Sequence, residues 1–555
     1  MIARNVRHLQ KACAALCSRI HLSRSKAYLI ALLLLIVFHA VNNYIIVSAN
    51  RAPPYHYAGS AIIEQDRLLA ILADGGAGIH YFLQNSYPAL LVFILYPYYW
   101  LVGVTQVSVI MGNTLFLAVL VLSVFAIGKK LHSAKTGLLA AFIVTAFPQI
   151  LGLSRHYDLR LHLAAAASAG IYLLLKSGGL SRHVYSLLFG ISVGIGISIK
   201  PEYSIYLIGP FAVVLIKAAL SAESAGKRMV LLTNLLAASL GFSLAVLGNG
   251  GLNLRNIAHV LFAMSFPVTG TTPDYFFYLR SLLGFQTLFL LSPLILAASA
   301  YFLYRRQNYV VLAWFFLPFA FFTFVVYTNL DINFMTPALP AAAVLTALFV
   351  HGIRNVRIRR LMIAAIICIC LFQFFLLSYV PQSYPAFEAV NSAAGIGRIQ
   401  MGPMHDILHY DEMAGSFPGQ VQYMGFLHPY NSDWGIGYIS SLIMNNSGGK
   451  RLHIAVIDAG IYHIIYHPLG YKLYELGHQT HDIVPLEDLI LENPASPQDA
   501  AGLIQKILAA SDFVIFTSMG SEVPEVAQII NATKETPLGW VALPDATVVY
   551  VYARQ

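Results

Sequence analysis

Charge is scarce in this sequence. Lys, Arg, Asp and Glu together make up 11% of the 555 residues, against 58% hydrophobic residues and a mean hydropathy of +0.67. Soluble domains carry about 25% charged residues, so a chain this poor in charge cannot cover a water-facing surface and must have lipid as its main solvent. Cysteine is scarcer still. Cys13 and Cys17 precede the first apolar run, Cys368 and Cys370 lie inside the last, and none follows residue 380. That excludes a disulfide framework in the C-terminal part and offers no cysteine cluster for a metal. Acidic residues are the minority, and the formal net charge is +9. The basic residues sit in short clusters between apolar runs, which is the pattern of cytoplasmic loops rather than of a nucleic-acid-binding face. No nucleic-acid partner is expected.

What the sequence has in abundance is apolar runs of spanning length. They cover residues 27–47, 108–128, 136–153, 159–175, 184–199, 203–219, 229–248, 281–303, 309–327, 334–350 and 361–380, which predicts about eleven transmembrane helices. The run 87–103, aromatic and interrupted by Pro97, reads as a juxtamembrane or re-entrant segment. The first run, Ala27 to Val47, follows the basic arm 1–26. It is too long for a signal-peptide core and has no small-residue cleavage site behind it, so it is expected to be retained.

Charge sets the expected orientation. With the N-terminus cytoplasmic, the arm and the inner loops hold clusters such as Lys129, Lys130 and Lys135, Arg305 and Arg306, and Arg354, Arg357, Arg359 and Arg360. The outer loops hold only Arg51, Arg67, Arg155, Arg160, Lys200, Arg255 and Arg280. The chain thus reads as a multi-pass cell-membrane protein. It comprises a cytoplasmic arm (1–26), a transmembrane domain (27–380) with a long outer loop (48–107), and an extracytoplasmic domain (381–555).

From about 381 the texture changes. RLHIAVIDA (451–459) and SDFVIFTS (511–518) read as buried strands, Pro497 to Ala510 as a helix with Ser496 as its cap, and WVALPDATVVYVYA (540–553) as a β-hairpin turning at Pro544-Asp545. Strands alternating with helices predict an α/β layered domain. No G-x-G-x-x-G or P-loop follows either strand, so the domain is expected to cover substrate or bind a partner rather than carry chemistry.

Candidate chemistry clusters in the outer segments. In the first outer loop His56, Glu64 and Asp66 stand near the membrane surface, where an imidazole or carboxylate can act as a general base. The same spacing suits a solvated amphipathic helix. SRHYDLRLH (154–162) packs Arg155, His156, Asp158, Arg160 and His162 between two apolar runs. Arg155 and Arg160 present guanidinium forks suited to phosphate. Asp158 reads either as a base or as the ion-pair partner of an arginine. Lys200, at a helix end before Pro201-Glu202, either snorkels to the interface or contacts a lipid phosphate. Asp331 and Asn333 stand at a helix end, where a polar cap would also explain them.

The order of segments resembles the GT-C superfamily of polytopic glycosyltransferases, particularly bacterial protein mannosyltransferases and the lipid A aminoarabinose transferase. The stretches that carry the resemblance are PPYHYAG (53–59), YPALLVFILYPYYWLVG (87–103), Asn113 through GKKL (128–131) and GLLAAFIVTAFPQILGLSRHY (137–157). To these are added IYLLLKSGG (171–179), LLFGISVGIGISIK (187–200) and NFMTPALPAAAVLTAL (333–348). DWGIGYISSLI (433–443) before the first strand is similar to the extracytoplasmic domain of some bacterial relatives.

The resemblance implies an enzyme that moves a sugar from a polyprenyl-phosphate donor to a lipid, glycan or protein acceptor at the outer membrane face, in bacteria at the inner membrane. It implies an acid in the first outer loop that activates the acceptor and basic residues that hold the lipid phosphate, and it admits a divalent metal, which some members need. The sequence departs from the family pattern in three places. His56 or Tyr57 stands where an Asp is usual after the Pro-Pro pair, Arg160 stands where an acid is common after the Ser-Arg pair, and Asn333 replaces a frequent arginine. Asp158 and His56 are therefore the candidates for base or acceptor orientation, with Glu64 and Asp66 as substitutes, and Arg155, Arg160 and Lys200 for the donor phosphate. Two rival readings are a non-catalytic relative that binds a lipid-linked glycan or a protein partner, and a transporter. A transporter predicts ionisable groups deep within helices, whereas here they cluster at helix ends.

Overall fold

In a computed structural model of the chain, the described residues are 24–49, 89–248 apart from 156, 291–325, 332–379 and 435–447. Short stretches within 64–79, 275–283 and 452–553 are also described. The membrane part begins with α1 (Arg24–Ala49), followed by α2 (Ala89–Val102), α3 (Gln106–Met111), α4 (Asn113–Leu131), α5 (Ala134–Ala146) and α6 (Pro148–Ser154). It continues through α7 (Leu159–Lys176), α8 (His183–Ile199), α9 (Tyr203–Ser221), α10 (Ala225–Gly248), α11 (Ser292–Tyr304) and α12 (Tyr309–Phe324). A 3-10 segment, Ile332–Ala338, then leads into α13 (Leu339–Gly352) and α14 (Val356–Tyr379). Among the described residues seven helical stretches are long and apolar enough to cross a membrane, or eight if the bent α5–α6 pair is one span. Four shorter apolar helices, Leu90–Val102, His183–Ile199, Ser292–Tyr304 and Tyr309–Phe324, accompany them. Each apolar run read from the sequence contains a helix, and 87–103 forms a helix with Pro97 inside it.

Burial sorts these helices. The span formed by the 3-10 segment and α13 is 89% buried, whereas that of α10 is only 17% buried and carries exposed Leu232, Leu236, Leu240 and Leu244. Such a leucine row on water would be an aggregation surface, and against lipid it is an ordinary outer wall. With no hydrophobic effect between helices inside a bilayer, close backbone approach must do the joining. A Cβ on Gly190 of α8 would stand 1.8 Å from the Ala238 carbonyl of α10, and one on Gly241 would stand 2.2 Å from the Leu187 carbonyl. Only glycine permits that contact.

The run 136–153, read as a single span, is broken. Phe147 adopts an extended conformation (φ −62°, ψ 129°), Pro148 begins α6, and the two helices are bent by 70°. A proline disfavours the helical conformation in the residue before it and offers no N–H to continue the ladder. Helix α6 therefore turns across the bundle, and all seven of its residues are buried.

In the C-terminal part, α15 (Ile436–Asn446) precedes five strands: β1 (Leu452–Ile457), β2 (His481–Pro485), β3 (Phe513–Thr517), β4 (Gly539–Ala542) and β5 (Val548–Ala553). Their order is β2-β1-β3-β5-β4, with β1 parallel to both β2 and β3, and β3 and β4 antiparallel to β5. Ile454 and Val456 meet Ile439 and Ile443 of α15 on one face, while Ala455 packs with Leu508 and Phe516 on the other. The two strands and the hairpin expected from the sequence are present. HDIVP, the edge strand β2, is short and polar and was not anticipated. Residues 506–510 of the expected 497–510 helix are helical, and Ser496 lies outside the described residues.

Candidate functional site

Helix α6, buried on all sides, must satisfy its polar atoms within protein. Gln149 Nε2 donates to Asn333 Oδ1 in the 3-10 segment. Asn113 Nδ2, at the start of α4, donates to the Leu153 carbonyl at 3.0 Å. Asn43 Nδ2, from α1, donates to Ser154 Oγ at 2.9 Å and reaches the Ser154 carbonyl at 3.3 Å. Three elements, the 3-10 segment, α4 and α1, are thereby pinned around one short helix.

Arg155 follows α6 directly and is 4% exposed. Its Nε donates to Asn43 Oδ1 at 3.2 Å, its Nη2 donates to Ser378 Oγ of α14, and its guanidinium lies 5.8 Å from the centre of the Phe374 ring. Beside it, Tyr379 donates to Asn42 Oδ1. The Asn43 amide and the Ser378 hydroxyl fix the guanidinium by hydrogen bonds, and the Phe374 ring lies beside it.

Asp158 caps α7. One carboxylate oxygen accepts from the Arg160 backbone N–H at 2.7 Å, and the other accepts from Arg160 Nη1 at 3.1 Å. The pair is largely buried, and the Arg160 guanidinium lies 5.5 Å from the centre of the Phe334 ring. Of the two roles open to Asp158 in the sequence, the ion pair is the one the geometry displays. His162, one turn into α7, is fully buried, with Nδ1 2.9 Å from the Asp158 carbonyl and its ring against Phe116 and Tyr157.

Lys200 ends α8, and its Nζ lies 3.1 Å from Glu202 Oε1. The corner is held from both sides. Tyr203 donates to the Ala166 carbonyl of α7 at 3.1 Å, and Tyr206 donates to the Phe334 carbonyl at 2.7 Å. A Cβ on Gly196 would stand 2.3 Å from the Tyr203 ring, so glycine is what lets this tyrosine seat.

These groups lie at the helix ends opposite the basic loops and make up a polar layer. It contains three cations (Arg155, Arg160 and Lys200) and two carboxylates (Asp158 and Glu202), and is laced by Asn43, Asn113, Gln149 and Asn333. Of the residues proposed from the sequence, the structure gathers Arg155, Asp158, Arg160 and Lys200 here. Glu64 is half-buried on a segment whose neighbours Gln65 and Leu68 pack on α2, with Gln65 Nε2 donating to the Val92 carbonyl at 2.8 Å. His56 and Asp66 lie outside the described residues, as do His156 and Asp331. The partners Asn42, Asn43, Gln149, Glu202 and Ser378 were missed. The readable signal was the Asn42-Asn43 pair inside an apolar run, where polar groups persist only with partners.

Among the described residues no three His, Cys, Asp or Glu side chains come together as a metal ion would require.

The family profile of dolichyl-phosphate-mannose-protein mannosyltransferases matches residues 86–247, which span α2 to α10 and hold most of this layer. Among solved structures, ArnT from Cupriavidus metallidurans in the apo state superimposes with a TM-score of 0.56 at 12% identity, covering 95% of this chain and 98% of that one. The fold is that of the GT-C glycosyltransferases. ArnT bound to undecaprenyl phosphate gives the same TM-score at 13% identity, covering 94% and 97% of the two chains. The archaeal oligosaccharyltransferase AglB from Archaeoglobus fulgidus, in complex with an inhibitory peptide and a dolichol-phosphate, shares this GT-C fold at a TM-score of 0.50 and 13% identity, over 96% of this chain and 75% of that one. Comparison with the sequences of characterised proteins finds no match.

Proposed function

We propose that this protein is a membrane glycosyltransferase that transfers a sugar from a polyprenyl-phosphate donor to an acceptor at the membrane surface where the polar layer lies. The observation that carries the reading is Arg155, a buried guanidinium held by Asn43, Ser378 and Phe374 beside the Asp158–Arg160 and Lys200–Glu202 pairs. Polyprenyl phosphates occupy two proteins of the same fold, which supports a phosphate on these cations.

In the reaction the bond between the sugar C1 and the phosphate oxygen breaks, and the acceptor oxygen bonds C1 while losing its proton. Charge develops on the departing phosphate. Pre-positioned guanidinium and ammonium groups stabilise that charge without reorganising. Arg155 and Arg160 take this role, with Lys200 beside them, and Asp158 keeps Arg160 extended and aimed. Each Asp158 oxygen accepts a hydrogen bond from Arg160, which lowers its basicity, so the base that activates the acceptor is assigned first to the first outer loop, to His56, Glu64 or Asp66, with Asp158 as the alternative.

The test is transfer from radiolabelled polyprenyl-phosphate sugars by the purified protein in lipid. Arg155→Gln is expected to lower turnover by about 10²–10³-fold, the loss typical of removing one such stabilising group. Donor binding without transfer by the unaltered protein, across several sugars and acceptor extracts, would replace this reading with that of a non-catalytic lipid-glycan binder.

A further inference from the structure

A groove of about 600 Å³ runs between α1, α5 and α14, walled by residues such as Leu34, Phe38, Leu139, Phe142 and Leu371. Leu34 and Leu371 are exposed, so the groove opens sideways towards lipid. Along α1 it extends from Tyr28 to His39. At 1.5 Å per residue that is about 16 Å, roughly half of a ~30 Å hydrocarbon core and so the depth of one leaflet.

The two ends differ. One is made by His39 and Phe374, whose ring centre lies 5.8 Å from the Arg155 guanidinium. The other is lined by Tyr28, Lys135 and His351. Here His351 hydrogen-bonds to the Lys135 backbone and lies within electrostatic reach of His132 and Arg359. The His132 ring stacks against it with centroids 6.1 Å apart, and Thr136 Oγ1 holds His132 Nδ1 at 2.8 Å. The stretches that meet at this mouth, residues 24–49, 128–137 and 349–363, contain no Asp or Glu. A one-leaflet apolar slot with an unopposed basic mouth is complementary to a lipid with a single acyl chain in the slot and a phosphate at the entrance.

We propose that this groove binds an anionic glycerophospholipid from the leaflet on the side of the basic loops, its phosphate on Lys135, His351 and Arg359 and one acyl chain between α1, α5 and α14. The phosphate site lies at the end of the groove opposite Phe374 and the polar layer, and the proposal does not depend on the transferase reading. A polyprenyl chain longer than one leaflet would overrun the end at His39 and Phe374.

Native mass spectrometry of the full chain in mild detergent tests this, with phosphatidylglycerol, phosphatidylcholine and a polyprenyl phosphate titrated separately. The unaltered protein should retain phosphatidylglycerol in preference to the other two. Lys135→Gln and Arg359→Gln should each weaken that retention about fivefold, as expected for one basic group facing an anionic lipid. Ala31→Trp should abolish it by filling the slot. Thermal unfolding of each variant identifies misfolding, and the two glutamine variants keep the test decisive if Ala31→Trp does not fold. Equal retention of phosphatidylcholine, unchanged retention in all three variants, or stronger retention of polyprenyl phosphate would overturn the proposal.

Discussion

At the scale of single residues, the chain's few polar groups within the apolar bundle act as fasteners. Asn43 serves Ser154 and Arg155 at once. Asn43→Ala strands buried partners, and leaving a buried group unsatisfied costs about 1–3 kcal/mol. The variant should lower the unfolding temperature in detergent, and should lower donor affinity too, because Arg155 loses a support. Asp158 permits a sharper comparison. Asparagine caps helices as well as aspartate does, whereas alanine forfeits about 1 kcal/mol. Asp158→Asn keeps the cap but takes the carboxylate from the largely buried Arg160, so it should lose some thermal stability and part of its transfer activity, while Asp158→Ala, which also forfeits the cap, should lose more of both. Complete loss of transfer in Asp158→Asn with donor affinity unchanged would return the base role to Asp158.

At the scale of elements, two devices shape the bundle. The first is the Phe147-Pro148 break, which turns α6 inward and delivers Arg155 to its partners. The second is backbone contact between α8 and α10 at Gly190 and Gly241. Gly190→Val must push two backbones apart, and overpacking a close contact costs typically about 1–3 kcal/mol or more. Loss of folded protein on size-exclusion chromatography is the expected result, with Gly226→Val as a control because nothing lies within 4 Å of a Cβ there. The apolar runs were legible because length and hydropathy alone decide what crosses lipid. The break within 136–153 was not read, although Pro148 is visible, because the run stays apolar through it and hydropathy does not register a bend.

At the scale of the whole molecule, the charge asymmetry predicts that the basic loops and the C-terminal domain lie on opposite sides of the membrane. In a variant lacking the native cysteines, an impermeant thiol reagent on intact cells should label a cysteine placed at Asp512 and spare one placed at Ser224. The reverse pattern would invert the orientation and, with it, the side on which acceptor is met.

Some of this protein was decided by sequence alone. Scarce charge and long apolar runs make it a membrane protein, because backbone in lipid must close its own hydrogen bonds as helix. The order of its segments carries the GT-C resemblance. The short apolar runs 451–459 and 511–518 read as buried strands and 540–553 as a hairpin, and the sheet contains all three, β1 packed on both faces. Which polar residues matter was decided only in three dimensions. Arg155, Asp158, Arg160 and Lys200 were candidates on density of charge. The Asp158–Arg160 pair, two residues apart, was within reach of the sequence, but that Arg155 is steadied by Asn43 and Ser378 and that Asn333 answers Gln149 depend on contacts spanning 112 to 223 residues of chain. Such pairings leave no local mark, because a buried polar atom needs a partner in space and is indifferent to where along the chain that partner lies.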